Sequence, residues 1–111
     1  MRPAELPASE LARELVGDEY GGLPASVIFV DAEPGQGPSL HKHAYAELFF
    51  VIEGQATFTD GVEERVVRGG EVVIVSPGQP HAFVNSGTGR LRQIDVHLAS
   101  RFATEWLDGQ R

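Results

Sequence analysis

The chain contains no cysteine and only one lysine, Lys42. Without cysteine there is no disulfide, no thiolate nucleophile and no sulfur-rich metal site, so any bound metal must be held by histidine nitrogen and carboxylate oxygen. Nine Lys and Arg residues stand against sixteen Asp and Glu, a formal charge of -7. With its arginines scattered, such a chain is a poor match for nucleic acid, because phosphate binding draws on clustered cations. An anionic membrane surface is disfavoured for the same reason, and no apolar run approaches the roughly 20 residues that span a bilayer. The first ten residues lack the apolar stretch and small-residue cleavage site of a secretory signal, which makes a soluble cytoplasmic protein the expectation.

What is present suits one globular domain spanning residues 1–111. Hydrophobic residues make up 41% of the chain and charged residues 23%, the ordinary balance for a chain that builds one core. Within residues 8–17, Leu11, Leu15 and Val16 have helical spacing after Ser9, which predicts a short N-terminal helix. From Val27 onward the texture changes to brief runs rich in Val, Ile, Phe and Thr. These are separated by turn signals: Asp60-Gly61, Arg68-Gly69-Gly70, Ser76-Pro77-Gly78 and Asn85-Ser86-Gly87. About eight antiparallel strands over residues 27–97 are predicted, an all-β barrel or sandwich. Residues 48–52 are apolar at every position, so both faces of that strand should be covered, one by the interior and one by a second layer or a second subunit. A homodimer is expected on that ground. Phe102, Trp106 and Leu107 predict a helical cap over residues 100–107.

Three of the four histidines and one glutamate carry the candidate chemistry. On a strand, residues two apart face the same way about 6.6 Å apart, so His41 and His43 can converge on one ion while Lys42 points away. Glu47 shares their parity but would lie about 13 Å beyond His43 on a straight strand, so residues 44–46 must bend or bulge. His81 is the fourth candidate. The segment Pro77-Gly78-Gln79-Pro80 before it restricts the unfolded chain and fixes its approach.

The run from Gly35 through His41, His43 and Glu47, followed by Gly54, resembles the first cupin motif, GxxxxxHxHxxxExxxxxxG, at every defined position. Gly70 through Asn85 is similar to the second, GxxxxxPxGxxHxxxN, with Gly78, His81 and Asn85 in place and Ser76 where the family usually has proline; Pro77 follows one residue later. The resemblance to the cupins implies a jelly-roll-like antiparallel barrel, or double-stranded β-helix, with one divalent metal ion in its mouth. His41, His43, Glu47 and His81 are its implied ligands. Iron, manganese, nickel, zinc and copper all suit such a set.

The remaining candidates are weaker. Gln93, Asp95 and His97 form one polar face of a predicted strand, read here as facing solvent, with a place in the pocket as the alternative. Tyr45 and His97 are the only candidates for acid–base catalysis. Phe49, Phe50, Phe58 and Phe83 are expected mostly in the core, and Asn85 in a turn. No nucleophile-elbow serine, phosphate-cradling loop or dinucleotide fingerprint is present, so any enzyme here would be metal-centred. The leading expectation is a dioxygenase-like enzyme acting on a small organic molecule. The alternatives are a metal-dependent isomerase and a non-catalytic sensor or carrier of metal and small ligand.

Overall fold

The computed structural model describes residues 1–107. The strands are β1 (Ala12–Leu15), β2 (Ser26–Ala32), β3 (His41–Lys42), β4 (Glu47–Glu53), β5 (Gln55–Thr59), β6 (Glu64–Arg68), β7 (Val72–Val75), β8 (Ala82–Asn85), β9 (Leu91–His97) and β10 (Glu105–Trp106). Every pairing is antiparallel. One sheet has the order β1-β2-β9-β4-β7, and a second has the order β6-β5-β8. A two-stranded ribbon, β10-β3, is joined to the start of β8 by an isolated bridge between His41 and His81. The two layers therefore face each other around a common interior, the antiparallel barrel that the motif resemblance implies.

Alternation builds that interior. Along β4, Phe49 and Val51 are almost fully buried, and Val30, Val75 and Leu91 join them from β2, β7 and β9. Ala56, Phe58, Val67 and Phe83 close the core from the opposite layer. The rings of Phe49 and Phe58 meet edge to face with centroids 5.0 Å apart. Each large side chain removed from water in this way stabilises the fold by about 1.5–3 kcal/mol.

Two glycines allow close backbone approach. Gly54 joins β4 to β5 at φ +92°, and a Cβ there would lie 2.4 Å from the Arg90 carbonyl oxygen. At Gly37 a Cβ would lie 1.9 Å from the Phe83 carbonyl oxygen, because the segment entering β3 runs against β8. Asn85 fastens the same corner: its side-chain amide donates to the Ala32 and Gly89 carbonyls and its Oδ1 accepts from the Gly87 N–H. It serves the turn, as its sequence setting predicts.

The termini depart from the expected helices. Within residues 8–17 the chain forms strand β1, paired from Ala12 opposite Val30 to Leu15 opposite Val27, and helical geometry is confined to 3-10 turns at Pro3–Glu5 and Gly17–Glu19. A helix of so few residues has too little internal hydrogen bonding to offset its nucleation, whereas the open edge of β2 offers a full ladder. The expected cap over residues 100–107 is not helical either: only Glu105 and Trp106 form regular structure there, a strand paired to Lys42 and His41. The polar face assigned to solvent on β9 instead points inward, with Gln93, Asp95 and His97 only 2–3% exposed. Within one chain, residues 48–52 are fully covered on one face, whereas on the other Leu48 and Phe50 are half-buried and Ile52 is 57% exposed, the face for which a second subunit is expected.

Candidate metal centre

Four elements deliver the four candidate ligands. β3 carries His41, and His43 follows directly after it. The chain then turns through Ala44 and Tyr45 before β4 opens at Glu47, which is the bend that the spacing of His43 and Glu47 requires. His81 is placed by a reciprocal backbone pair, its N–H donating to the His41 carbonyl at 2.8 Å and its carbonyl accepting from the His41 N–H at 3.0 Å. The rings of His41 and His81 consequently stand 4.2 Å apart. The turn before His81 is itself tied down, because the Gly78 N–H donates to the His43 carbonyl at 2.7 Å. His41, His43, Glu47 and His81 are all buried, and one donor atom from each lies within 4.8 Å of the others.

The side-chain hydrogen bonds settle which nitrogen each histidine presents. Nδ1 of His41 lies 2.7 Å from the Ser39 carbonyl, Nδ1 of His43 lies 2.8 Å from the Ala103 carbonyl, and Nδ1 of His81 lies 3.0 Å from the Gln79 carbonyl. A carbonyl only accepts, so each Nδ1 carries the proton and each Nε2 is left with a free lone pair. Nε2 of His43 and Nε2 of His81 each lie 3.2 Å from the same carboxylate oxygen, Oε1 of Glu47. His43 Nε2 is buried without a hydrogen-bond partner. Three Nε2 atoms and a carboxylate oxygen turned toward one point, with His43 Nε2 buried and unpartnered among them, fit a divalent cation.

Protonation follows the same geometry. Burial pushes the His41 imidazole down to about 4, and the neighbouring His81 and His43 add to this, so it is neutral at pH 7. Burial works against the Glu47 carboxylate, but His43, His81 and His97 outweigh it and hold the group ionised far below the usual carboxylate range. For His43, burial is outweighed by Glu47 and the Ala103 carbonyl, and its pKa rises. A site of three neutral imidazoles and one carboxylate would leave a divalent ion with net charge +1 and, in octahedral geometry, with open positions.

Behind Glu47 lies a group that the sequence reading left facing solvent. The Ala103 N–H donates to the Tyr45 hydroxyl oxygen at 3.2 Å, and the Tyr45 hydroxyl lies 2.8 Å from His97 Nδ1. With its oxygen already accepting, Tyr45 donates to Nδ1, which places the His97 proton on Nε2. That nitrogen lies 2.9 Å from Oε2 of Glu47, an ion-pair distance without a regular hydrogen bond. The opposite tautomer would set a bare lone pair against Oε2 outside the candidate cluster, where no cation would lie between them, so charge favours the same assignment. Glu47 therefore turns Oε1 to the histidine cluster while Oε2 is held by His97. Neither Tyr45 nor His97 belongs to the ligand cluster.

The C-terminal segment finishes the site. Phe102 packs edge-on to His97 at 4.8 Å and Trp106 lies 5.0 Å from His41, while Ala103 contributes both its N–H and its carbonyl. A cavity of about 550 Å³ opens from the histidine cluster between this segment and residues 9–12 and 14 near the N-terminus. Asp95 stands in its wall, accepting from the Gln93 side-chain amide at 2.8 Å. Burial, aided by the charge of Glu47, holds the Asp95 carboxyl well above the usual range.

The family described as Cupin domain matches residues 28–97. Among solved structures, a double-stranded β-helix protein from Klebsiella pneumoniae is similar with TM-score 0.75 and 20% identity over 95% of this chain and 93% of that one. A cupin-like protein from Thermotoga maritima gives 0.78 and 22% over 96% and 86%. An oxalate decarboxylase variant from Bacillus subtilis gives 0.79 and 22% over 97% of this chain but 32% of its own. At these identities the likeness speaks for the fold alone. No curated protein matches the chain significantly.

Proposed function

Because the chain belongs to the cupin family, whose pattern covers residues 28–97, we propose that it binds one divalent metal ion through His41, His43, Glu47 and His81 and acts there on a small organic molecule. The observation that carries this reading is the commitment of all three Nδ1 atoms to backbone carbonyls, which aims three Nε2 lone pairs at one buried point beside Glu47. The structural neighbours include Bacillus subtilis oxalate decarboxylase, described with Mn(II) centres, so manganese joins iron among the ions to test first.

When bound, the ion would supply Lewis acidity or, as Fe(II), reactivity toward oxygen. The protein's own residues do the rest. The Ser39, Ala103 and Gln79 carbonyls fix the imidazole planes, and His97 keeps Glu47 presenting a single oxygen. Phe102 and Trp106 shield the ligands from bulk water. Tyr45 and His97 form a hydrogen-bonded pair reaching Glu47, suited to hold a proton beside the site. Dioxygenase-like chemistry is the reading that an apolar cavity with open metal positions favours, and isomerisation by proton transfer is the alternative.

The test begins with elemental analysis of protein purified without added metal. Anaerobic Fe(II) loading and oxygen uptake with β-diketones, catechols and flavonols should then give turnover. Silence across metals and substrates, with metal firmly bound, would leave a non-catalytic sensor or carrier in its place. A homodimer belongs to the same proposal: Ile52, Val72 and Ile74 leave an apolar stripe on the outer face of β4 and β7. Light scattering at micromolar concentration should give twice the chain mass. No helix among the described residues is long and apolar enough to cross a membrane.

A further inference from the structure

The composition of the cavity limits what can occupy it. Its deep wall is apolar, with Ile28 and Val30 on one sheet and Phe49 and Phe83 around the core end. Among the described residues, no lysine or arginine lines it. Apart from His41, His43 and His97, the charged or chargeable groups that do are acids: Glu10 and Glu14 toward the mouth, Asp95 within, and Glu47 at the cluster. Lys42 points away from the cluster and lies 4.0 Å from Glu105, and Arg101 is paired with Asp18. The remaining polar contacts are uncharged. The Ser39 hydroxyl is buried without a partner, and the Thr104 hydroxyl stands at the rim, 3.4 Å from His43 Nδ1.

Carboxylate recognition in a desolvated site needs a cation or a set of N–H donors for each negative charge. Here an ion held by three neutral imidazoles and Glu47 carries one net positive charge, enough for one anionic group on the ligand. A second negative charge would face mainly apolar side chains and acidic groups, with no lysine or arginine to compensate it. An uncharged ligand body meets no such penalty, and it gains from contact with Phe49, Phe83, Ile28 and Val30.

We propose that the ligand of this cavity is a mainly apolar molecule that offers the ion one oxygen chelate with at most one negative charge, and that the site discriminates against dicarboxylates. This rests on the metal-binding reading above and adds the charge class of the ligand. Acetylacetone and malonate are the matched probes. Both chelate through two oxygens in a six-membered ring, but bound acetylacetone carries one negative charge and two methyl groups, whereas malonate carries two negative charges.

The experiment uses Co(II)-loaded full-length protein, with occupancy checked by elemental analysis. Each probe is titrated while the Co(II) absorption bands and the emission of Trp106, the only tryptophan, are followed. Each affinity is divided by that of the same probe for aqueous Co(II). The corrected preference for acetylacetone should be at least tenfold. Thr104→Arg, which sets a cation at an exposed position on the cavity rim, should raise malonate affinity at least fivefold relative to that of acetylacetone. Equal or tighter corrected binding of malonate to the wild-type protein, or no response to Thr104→Arg, overturns the proposal while the metal reading stands. Failure to retain Co(II) overturns the metal reading and this inference with it, and the elemental analysis tells the two failures apart.

Discussion

Replacing Tyr45 by phenylalanine isolates the support behind the carboxylate ligand. The substitution removes one hydroxyl and leaves the ring, which stacks on His43 with centroids 4.8 Å apart and planes 13° from parallel. Two hydrogen bonds are lost: the Ala103 N–H loses its acceptor and buried His97 Nδ1 loses its donor. Leaving a buried nitrogen unsatisfied costs about 1–3 kcal/mol. His97 can recover part of that by moving its proton to Nδ1, but this turns a lone pair toward Glu47 Oε2 and loosens the orientation of the carboxylate. Loss of an outer partner of a metal ligand typically lowers metal affinity 10–100-fold, about 1.4–2.7 kcal/mol. Competition against a chromophoric chelator at pH 7.5 measures the affinity, and far-UV circular dichroism confirms that the fold survives. Metal affinity within twofold of wild type, in a folded Tyr45→Phe protein, would refute the orienting role assigned to Tyr45 and His97.

Other perturbations follow from the same geometry. Glu47→Gln keeps the shape of the side chain but removes the only carboxylate in the cluster, so equilibrium dialysis should show metal affinity falling at least a hundredfold, more than for Tyr45→Phe. Gly37→Ala forces a methyl group into the Phe83 carbonyl and should lower stability by about 2–4 kcal/mol in urea titration, with no chemical change at the metal site. Metal-free protein should lose stability as pH falls from 6.5 toward 4. The unfolded His41 takes up a proton first while the folded one stays neutral down to about 4, and Glu47, with its lowered pKa, adds loss of the same sign at still lower pH. The raised pKa of His43 acts oppositely, contributing stability that fades as pH rises through it. His41→Phe should flatten the acid limb of a plot of Tm against pH.

The meeting of His41, His43, Glu47 and His81 was legible because strand parity, the glycine and proline setting and the cupin spacing all constrain the same few positions. Only the distance from His43 to Glu47 conflicted with a straight strand, and the conflict itself located the turn at Ala44 and Tyr45. The inward face of β9 was misread because its polar residues looked solvent-facing in isolation. β9 lies between β2 and β4, a place in the sheet order that no local pattern reveals. Leu91 was the available signal: it shares parity with Gln93, Asp95 and His97, and it is fully buried. The two expected terminal helices failed for a related reason. Segments this short take their conformation from an open strand edge nearby, and neither the edge of β2 nor that of β3 is visible in a residue string.

The pairing of β10 with β3 makes the histidine cluster depend on a segment far along the chain. Glu105 and Trp106 lie some sixty residues after the histidines they cover, and Ala103 supplies the carbonyl that orients His43. A chain cut after β9 would keep the strands of both sheets yet leave the His41–His43 pair without the Ala103 carbonyl and the Trp106 ring that align and shelter it.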